Sequence, residues 1–128
     1  MLGNAAASAV IPVKDLEAGK KFYQDTLGLK PANESKGGIE FEAGKGSKVF
    51  VYATEFAGTN KATAIGFVVD NVEETASGLK AKGVSFEHYD MPGVTRAEGS
   101  DVHEMGPLKA VWFKDPDGNI ISITNQMG

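Results

Sequence analysis

The side chains best suited to chemistry lie close together in one short segment, SDVHEMG, which contains Asp101, His103 and Glu104. Imidazoles and carboxylates are common ligands of divalent metals and common groups for proton transfer. Adjacent side chains converge poorly on one ion, however, and we interpret His103 as a surface histidine with a solvated neighbour. The second histidine, His88, follows Glu87 on a predicted strand, where neighbouring side chains point to opposite faces, and we expect it to be exposed.

Composition removes several other kinds of chemistry. The 128 residues include no cysteine, which excludes disulfides, thiolate nucleophiles and cysteine-based zinc sites. No Ser-His-acid arrangement or P-loop pattern is visible, and the GKGS segment at 44–47 is too short to cradle a phosphate. The sequence therefore contains no established pattern for covalent catalysis or for nucleotide binding.

Charge and hydropathy restrict the partners. The net charge is −4, and no basic cluster is larger than the pair Lys20-Lys21, whereas nucleic-acid binders usually concentrate basic side chains on one face. No run approaches the roughly 18–20 apolar residues that a membrane span needs. Residues 1–8 lack the basic segment of a signal peptide, and we predict that they form a frayed lead. We expect a cytoplasmic protein that binds neither nucleic acid nor membrane.

Two helix-like segments and several strand-like segments must position these side chains. Asp15 and Asn71 are predicted helix N-caps, and Gly28 and Gly83 are predicted helix ends. The predicted strand segments are AVIPV, GIEFEA, KVFVYAT, TAIGFVVD, VSFEHYD and the closing hairpin KAVWFKDPDGNIISIT. Residues 90–108 are predicted to form a long polar loop.

The order of these elements occurs twice. An offset of 55 positions superimposes Asp15 on Asp70, and an offset of 72 superimposes Phe41 on Phe113. The repeat predicts an α+β fold of tandem βαβββ modules, with the first module and a linker at 9–60 and the second module at 61–128, in one structural domain. Each module has one helix to cover one sheet face, so we predict a curved mixed sheet around a cleft, with the helices outside.

Three segments together resemble the vicinal oxygen chelate superfamily, which includes glyoxalase I, bleomycin-resistance proteins, fosfomycin-resistance proteins and extradiol dioxygenases. They are VIPVKDLEAGKKFYQDTLGLKP, GFVVDNVEETASGLKAKGVSFE and AVWFKDPDGNIISI, and the resemblance extends from about Ala9 to Gln126. It implies the glyoxalase/bleomycin-resistance fold of two βαβββ modules and a homodimer. Such a resemblance is far more specific for the fold than for a function.

The resemblance also implies where a metal would be held, because metal-dependent members carry His or Glu at symmetric strand positions. In this chain those positions are Ala9, Ala64, Ser122 and either Phe50 or Val51. A divalent ion needs several oxygen or nitrogen donors, and this set offers one neutral hydroxyl. We therefore predict that the metal site is lost and that no cofactor is bound.

The predicted cleft is then a roomy apolar pocket with aromatic walls. Strand alternation places Tyr52 beside Phe50, while Val49 and Val51 pack under the first helix. In the segment 87–106, side chains such as Arg96 are candidates to close over a ligand, although the segment is equally compatible with a solvated excursion. We expect ligand contacts from Ala9, Phe50, Tyr52, Phe56, Ala64, Tyr89, Met91, Trp112 and Ser122.

Each of these aromatic assignments has a structural alternative. Phe50 and Tyr52 are compatible with a core role, Trp112 with a core or dimer-interface role, and Phe56 with pinning the linker at 55–63.

We predict a metal-free small-molecule-binding protein that sequesters an aromatic or hydrophobic, antibiotic-like ligand in the inter-module or dimer cleft. Two alternatives remain open: a metal-dependent lyase, isomerase or dioxygenase with a relocated metal site, and a metal-free accessory enzyme. The possible donors to a relocated metal are Glu40, Glu42, Glu55, Asp101, His103 and Glu104.

Overall fold

The computed structural model describes residues 1–126, which form two compact units, Met1–Thr59 and a second unit from Asn60 onward. Each unit contains one mixed sheet and one principal helix. The predicted α+β fold with two βαβββ-type modules is confirmed. No helix within residues 1–126 has the length and apolar character required to cross a bilayer.

The first unit has the element order that the repeat predicts. Its elements are β1 (Ala9–Val13), α1 (Leu16–Lys21), β2 (Lys30–Glu34), β3 (Gly38–Glu42) and β4 (Lys48–Ala53), with short 3-10 turns at Leu2–Asn4 and Gly44–Gly46. The sheet order is β1-β4-β3-β2, and β1 runs parallel to β4. The two strands at the centre of the sheet are therefore joined by the 43–47 turn.

One sheet face of the first unit forms its core. Asp15 begins α1, and its carboxylate accepts from the N–H groups of Glu17 and Ala18 at 3.0 and 3.2 Å. Alternate residues on the strands then point at the helix. The buried side chains are Ile11, Val13, Tyr23, Ile39, Phe41, Val49 and Val51.

The first helix contains one residue more than its counterpart in the second unit. It continues beyond α1 as a π-helical turn at Phe22–Thr26, in which Leu27 N–H donates to the carbonyl of Phe22 over 3.0 Å. A π turn accommodates a single inserted residue without ending the helix. The insertion changes the alignment of the repeat, because everything before this turn is offset by one residue more than everything after it.

The helix caps and the helix-ending glycines show this change directly. Asp15 and Asn71 are the observed N-caps, 56 positions apart, whereas Gly28 and Gly83, both with positive φ, remain 55 positions apart. The predicted superposition of Asp15 on Asp70 is therefore wrong by one residue. The error extends to the strands that precede the two helices.

The second unit repeats the plan and adds a hairpin. Its elements are β5 (Thr63–Val68), α2 (Val72–Ala81), β6 (Phe86–Glu87), β7 (Thr95–Arg96), β8 (His103–Met105), β9 (Leu108–Lys114) and β10 (Ile120–Thr124). The sheet order is β5-β10-β9-β8-β7, and β6 pairs with β9 beyond the end of β8. As in the first unit, the first strand runs parallel to the last.

The helix of the second unit is capped and amphipathic, as predicted. The side chain of Asn71 accepts from Glu74 N–H at 3.0 Å. Val72, Ala76 and Leu79 form the buried stripe of α2. The core side chains that the sheet contributes are Val111, Phe113, Ile121 and Ile123.

Two predictions about the segment after α2 are wrong. The segment VSFEHYD forms a strand only at Phe86–Glu87, and the predicted loop at 90–108 contains the antiparallel strands β7 and β8. Short strands of two or three residues carry too few alternating side chains to give a periodic signal.

The closing turn at residues 115–119 is held by its own side chains. One carboxylate oxygen of Asp115 accepts from the N–H groups of Asp117 and Asn119, both at 2.9 Å, and the other accepts from the Asn119 side-chain amide at 2.7 Å. Both side chains are buried, and Gly118 supplies the left-handed conformation at φ +90°. The polar groups of DPDGN therefore build the hairpin.

Candidate functional site

The sheet of the second unit has one face packed on α2 and one face without a helix, which we call the open face. Val111, Phe113 and Ile121 are fully buried on the helix side. Their strand neighbours point the other way. Trp112, Ser122 and Gly66 are cross-strand partners and form one row on the open face, which continues into Glu87 of β6.

Three rings gather at one end of this row. Trp112 lies edge-on to Tyr89, with 5.4 Å between ring centroids, and edge-on to His103 at 4.9 Å. Tyr89 and His103 are tilted against each other at 6.2 Å. Trp112 and Tyr89 are half-buried, so the cluster has a solvent-facing side made of these two rings. Burial is the main cause that raises the pKa of Tyr89, and the negative charge of Glu87 adds to it.

His103 is the buried member of the cluster, and the prediction of a surface histidine is wrong. It has no exposed area, because the hairpin of β7 and β8 places it under Tyr89 and beside Trp112. Its Nε2 accepts a hydrogen bond from Tyr89 N–H at 2.9 Å. The neutral ring must therefore carry its proton on Nδ1, which has no hydrogen-bond partner within residues 1–126.

Burial is the main cause that lowers the pKa of His103. Backbone interactions with Ala110 and Asp101 oppose this shift, although neither reaches hydrogen-bond geometry at Nδ1. The nearby positive charge of Arg96 lowers the pKa further. The ring is thus set to remain neutral and to hold the Tyr89 backbone in place.

His88 and Asp101 form a hydrogen-bonded pair outside this buried layer. His88 Nε2 lies 2.7 Å from one carboxylate oxygen of Asp101, and Lys80 Nζ lies 3.4 Å from the other. The hydrogen bond from His88 is the main cause that lowers the pKa of Asp101, and Lys80 contributes to the same shift. His88 is exposed, as predicted. The pair ties the end of the loop to α2 through Lys80.

At the other end of the row, Gly66 has no side chain to cover the Ser122 hydroxyl, and Ser122 itself is only 9% exposed. A Cβ atom at Gly66 would lie 2.8 Å from Ser122 Oγ, closer than real contacts of that kind. The Ser122 hydroxyl therefore lies against the backbone of Gly66, one strand away from Trp112. Gly66 itself is exposed.

The corresponding face of the first unit is occupied by its own rings. Phe50 and Tyr52 are stacked, with 6.4 Å between centroids and 8° between planes. A Cβ atom at Gly38 would lie 2.7 Å from Cζ of Phe50, so this ring lies against the glycine backbone. Val10 pairs with Phe50 and is exposed. The predicted alternation, with Val49 and Val51 on the helix side, is confirmed.

The sequence analysis predicted the wrong strand neighbours for Phe50 and Ser122. Ala9 pairs with Val49 and lies on the helix side, so the prediction that it shares a face with Phe50 is wrong. Ala64 lies at an irregularity in the β5–β10 pairing, and Gly66 is the residue beside Ser122. The predicted positions lie six residues before the caps instead of five, and the additional residue in the first helix adds one more residue of error at Ala64.

The strand positions that correspond to the family's metal ligands, corrected in this way, carry few donor atoms for a divalent metal. Val10 and Phe50 in the first unit, and Gly66 and Ser122 in the second, are the equivalent strand pairs. Between them they carry one neutral hydroxyl, which does not fit the several nitrogen or oxygen donors that such an ion requires. Within residues 1–126, no three side chains of the His, Cys, Asp or Glu types are grouped as metal ligands would be.

Two further predicted contact residues are exposed. Phe56 is 70% exposed and is followed by Ala57, which is buried and anchors the segment. Met91 is exposed in the loop that follows Tyr89.

Sequence reasoning missed His103 and Gly66 as members of this face. His103 lies on a strand of three residues, and Gly66 lies in a segment where a glycine has no periodic signature. The spacing between the cap Asn71 and Gly66 was the available signal, since the same spacing leads from Asp15 to Val10.

Comparisons with known proteins agree with this architecture. The family model "Glyoxalase/Bleomycin resistance protein/Dioxygenase superfamily" matches residues 5–123. No curated protein sequence matches the chain.

Solved structures show the same fold at low sequence identity. A glyoxalase family protein from Enterococcus faecalis is 18% identical with a TM-score of 0.72, covering 97% of this chain and 99% of its own. A glyoxalase/bleomycin resistance protein/dioxygenase from Alicyclobacillus acidocaldarius is 19% identical with a TM-score of 0.69, covering 94% and 90%. A lactoylglutathione lyase from Agrobacterium tumefaciens is 18% identical with a TM-score of 0.67, covering 94% and 92%. The chain therefore belongs to the glyoxalase/bleomycin resistance protein/dioxygenase superfamily.

Proposed function

We propose that this protein binds an aromatic or apolar small molecule without a metal, and that the open face of the second unit makes the main contacts. The observation that carries this proposal is the half-exposed pair of Trp112 and Tyr89 at one end of a row that ends at Gly66, where only a glycine lies beside the Ser122 hydroxyl. A flat ligand lying along this row meets two rings and one hydrogen-bonding group.

The energetics favour aromatic ligands. Offset or edge-on contacts between rings contribute roughly 0.5–1.5 kcal/mol beyond the burial of apolar area. The rings are also held before binding, since His103 packs under both and accepts the Tyr89 N–H. A preformed surface loses less conformational entropy when a ligand binds.

The metal-free part of the proposal is supported by the donor chemistry of the equivalent strand positions. Val10, Phe50 and Gly66 have no donor atom on their side chains, and Ser122 has one hydroxyl. The rings and the hydroxyl are suited to holding a guest by contact and hydrogen bonding.

Titration of Trp112 fluorescence tests the proposal, because this residue is the only tryptophan in the chain. A panel of two- and three-ring aromatic compounds, neutral and charged, is added to the protein with and without a chelator. We expect saturable quenching by at least one compound, with the same dissociation constant in both conditions.

A matched pair of variants locates the contact. Tyr89→Ala removes a ring beside Trp112 and is expected to weaken binding by about fivefold to tenfold, whereas Tyr52→Ala removes a ring from the other unit and should have a small effect. Absence of saturable binding by the whole panel contradicts the proposal. A stoichiometric metal requirement for binding contradicts its metal-free part.

A further inference from the structure

Arg96 is the only arginine in the chain, and β7 places it on the open face. It is the cross-strand partner of His103, so the two side chains are neighbours on the same side of the sheet. His103 in turn contacts Trp112. The backbones of Arg96 and Trp112 are two strand spacings apart across the sheet and two residues apart along it, roughly 12 Å, a gap that an arginine side chain and a planar two-ring molecule can span together.

The guanidinium group of Arg96 has no carboxylate partner. It is half-buried, and its Nη1 donates to the backbone carbonyl of Ser100 at 2.8 Å. It forms no ion pair with any carboxylate in residues 1–126. A guanidinium has five N–H donors in a planar fork that matches a carboxylate, and one bond to a neutral carbonyl leaves most of them available.

Three lysines of the second unit, unlike Arg96, form ion pairs with carboxylates. The ion pairs are Lys80–Asp101 at 3.4 Å, Lys109–Glu73 at 2.7 Å and Lys114–Glu87 at 3.5 Å. Glu87 is the carboxylate beside Trp112, and its partner Lys114 offsets its repulsion of an anion. The unpaired cation on the open face is therefore at the opposite end of the ring cluster from Ser122.

We propose that the ligand of this face is an aromatic carboxylate, with its acid group on Arg96 and its ring system against Tyr89 and Trp112. This inference rests on the proposed function and deepens it by naming the ligand class. Arg96 determines specificity, because a neutral aromatic molecule gains the ring contacts and loses the charged hydrogen bonds. Charge-assisted bidentate pairs are stronger than hydrogen bonds between neutral groups.

The test compares 2-naphthoate with 2-naphthamide, which differ in charge and hardly in size, by Trp112 fluorescence and calorimetry at neutral pH. The wild type is expected to bind the carboxylate about tenfold or more tightly than the amide. Arg96→Gln should abolish this preference and leave amide binding within about twofold of the wild-type value. Lys109→Gln removes the same charge from the helix side of the same sheet and should preserve the preference.

The outcomes separate the two proposals. Equal binding of both compounds by the wild type, or a preference that survives Arg96→Gln, overturns the aromatic-carboxylate inference and leaves the proposed function intact. No binding of either compound, together with no response from the wider panel, overturns both. If Arg96→Gln does not fold, Arg96→Lys keeps the charge without the fork and should reduce the preference, and the wild-type comparison remains decisive without either variant.

Discussion

Residues 43–47 and residues 115–119 join equivalent strand pairs, and both turns close with a backbone hydrogen bond between their end residues, from Ala43 N–H to Ser47 at 2.9 Å and from Asp115 N–H to Asn119 at 3.0 Å. The first turn adds one side-chain bond, from Ser47 Oγ to the Gly44 carbonyl at 2.7 Å. The second turn adds three bonds to a buried carboxylate. The backbone thus sets the shape of both turns, and side chains determine how firmly each is held.

The two units also differ in the side chains on the sheet face opposite the helix. In the first unit, Phe50 and Tyr52 stack on each other, and the Phe50 ring lies on Gly38. In the second unit, the Ser122 hydroxyl lies against Gly66 at the equivalent strand positions, and the half-buried Trp112 is the next residue in the row. The repeated framework therefore carries a stacked pair of rings on one face and, on the other, the ring cluster that we propose binds the ligand.

The largest expected effect on the free energy of unfolding comes from the two turns. Asp115→Ala removes the acceptor of three hydrogen bonds and leaves buried donors unpaired, so it should lower the free energy of unfolding by about 2–3 kcal/mol. Ser47→Ala removes one exposed bond and should cost at most about 0.5 kcal/mol. Urea denaturation of both variants measures the difference, and equal losses would contradict the comparison.

An intermediate effect is expected on the free energy of unfolding at acid pH. Burial lowers the pKa of His103 in the folded protein. The ring is therefore protonated less readily in the folded protein than in the unfolded chain, where it binds a proton below about pH 6.5. The stability that the neutral ring contributes is present above that pH and is lost as the pH falls towards the lowered value, by at most about 1.4 kcal/mol for each pH unit. His88, Asp101 and Arg96 are the charged groups around the ring.

Unfolding at pH 7.5 and pH 5.5 — roughly one unit on each side of the reference pKa — checks this prediction. His103→Gln cannot titrate and retains an acceptor for Tyr89 N–H, so its acid sensitivity should be smaller than that of the wild type. An unchanged dependence in His103→Gln would show that the buried ring does not titrate with unfolding.

The smallest expected effect returns to the first turn. Lys45 has φ +56°, a left-handed conformation that costs most side chains about 1 kcal/mol and glycine very little. Lys45→Gly should therefore raise the free energy of unfolding by a few tenths of a kcal/mol, since glycine also loses more entropy on folding. Gly118→Ala, at φ +90° in the other turn, should have the opposite sign. A stabilising Gly118→Ala would contradict this account of the turns.

The sequence predicted those features that recur along the chain with a clear period. Strand alternation identified Val49 and Val51 as core and placed Phe50 and Tyr52 opposite them, and the caps Asp15 and Asn71 began the helices as expected.

The remaining features depend on a helix irregularity and on long-range strand pairing, neither of which leaves a periodic pattern in the sequence. The π turn at Phe22–Thr26 shifted the alignment of the first strands by one residue, and a one-residue slip exchanges the two faces of a strand. It accounts for one of the two residues between Gly66 and Ala64, and the remaining error, like the choice of Ala9 over Val10, came from counting six residues back from the cap instead of five. The burial of His103 depends on pairing with a strand distant in sequence, which no local pattern encodes.

The amide and indole NMR signals of the labelled protein during titration with 2-naphthoate test the central claim most directly. We predict the largest chemical-shift changes at Tyr89, Arg96 and Trp112, with small changes at Gly38 and Tyr52 in the first unit. Changes confined to the first unit, or saturation that occurs without any response at Trp112, would contradict the assignment of ligand binding to the open face.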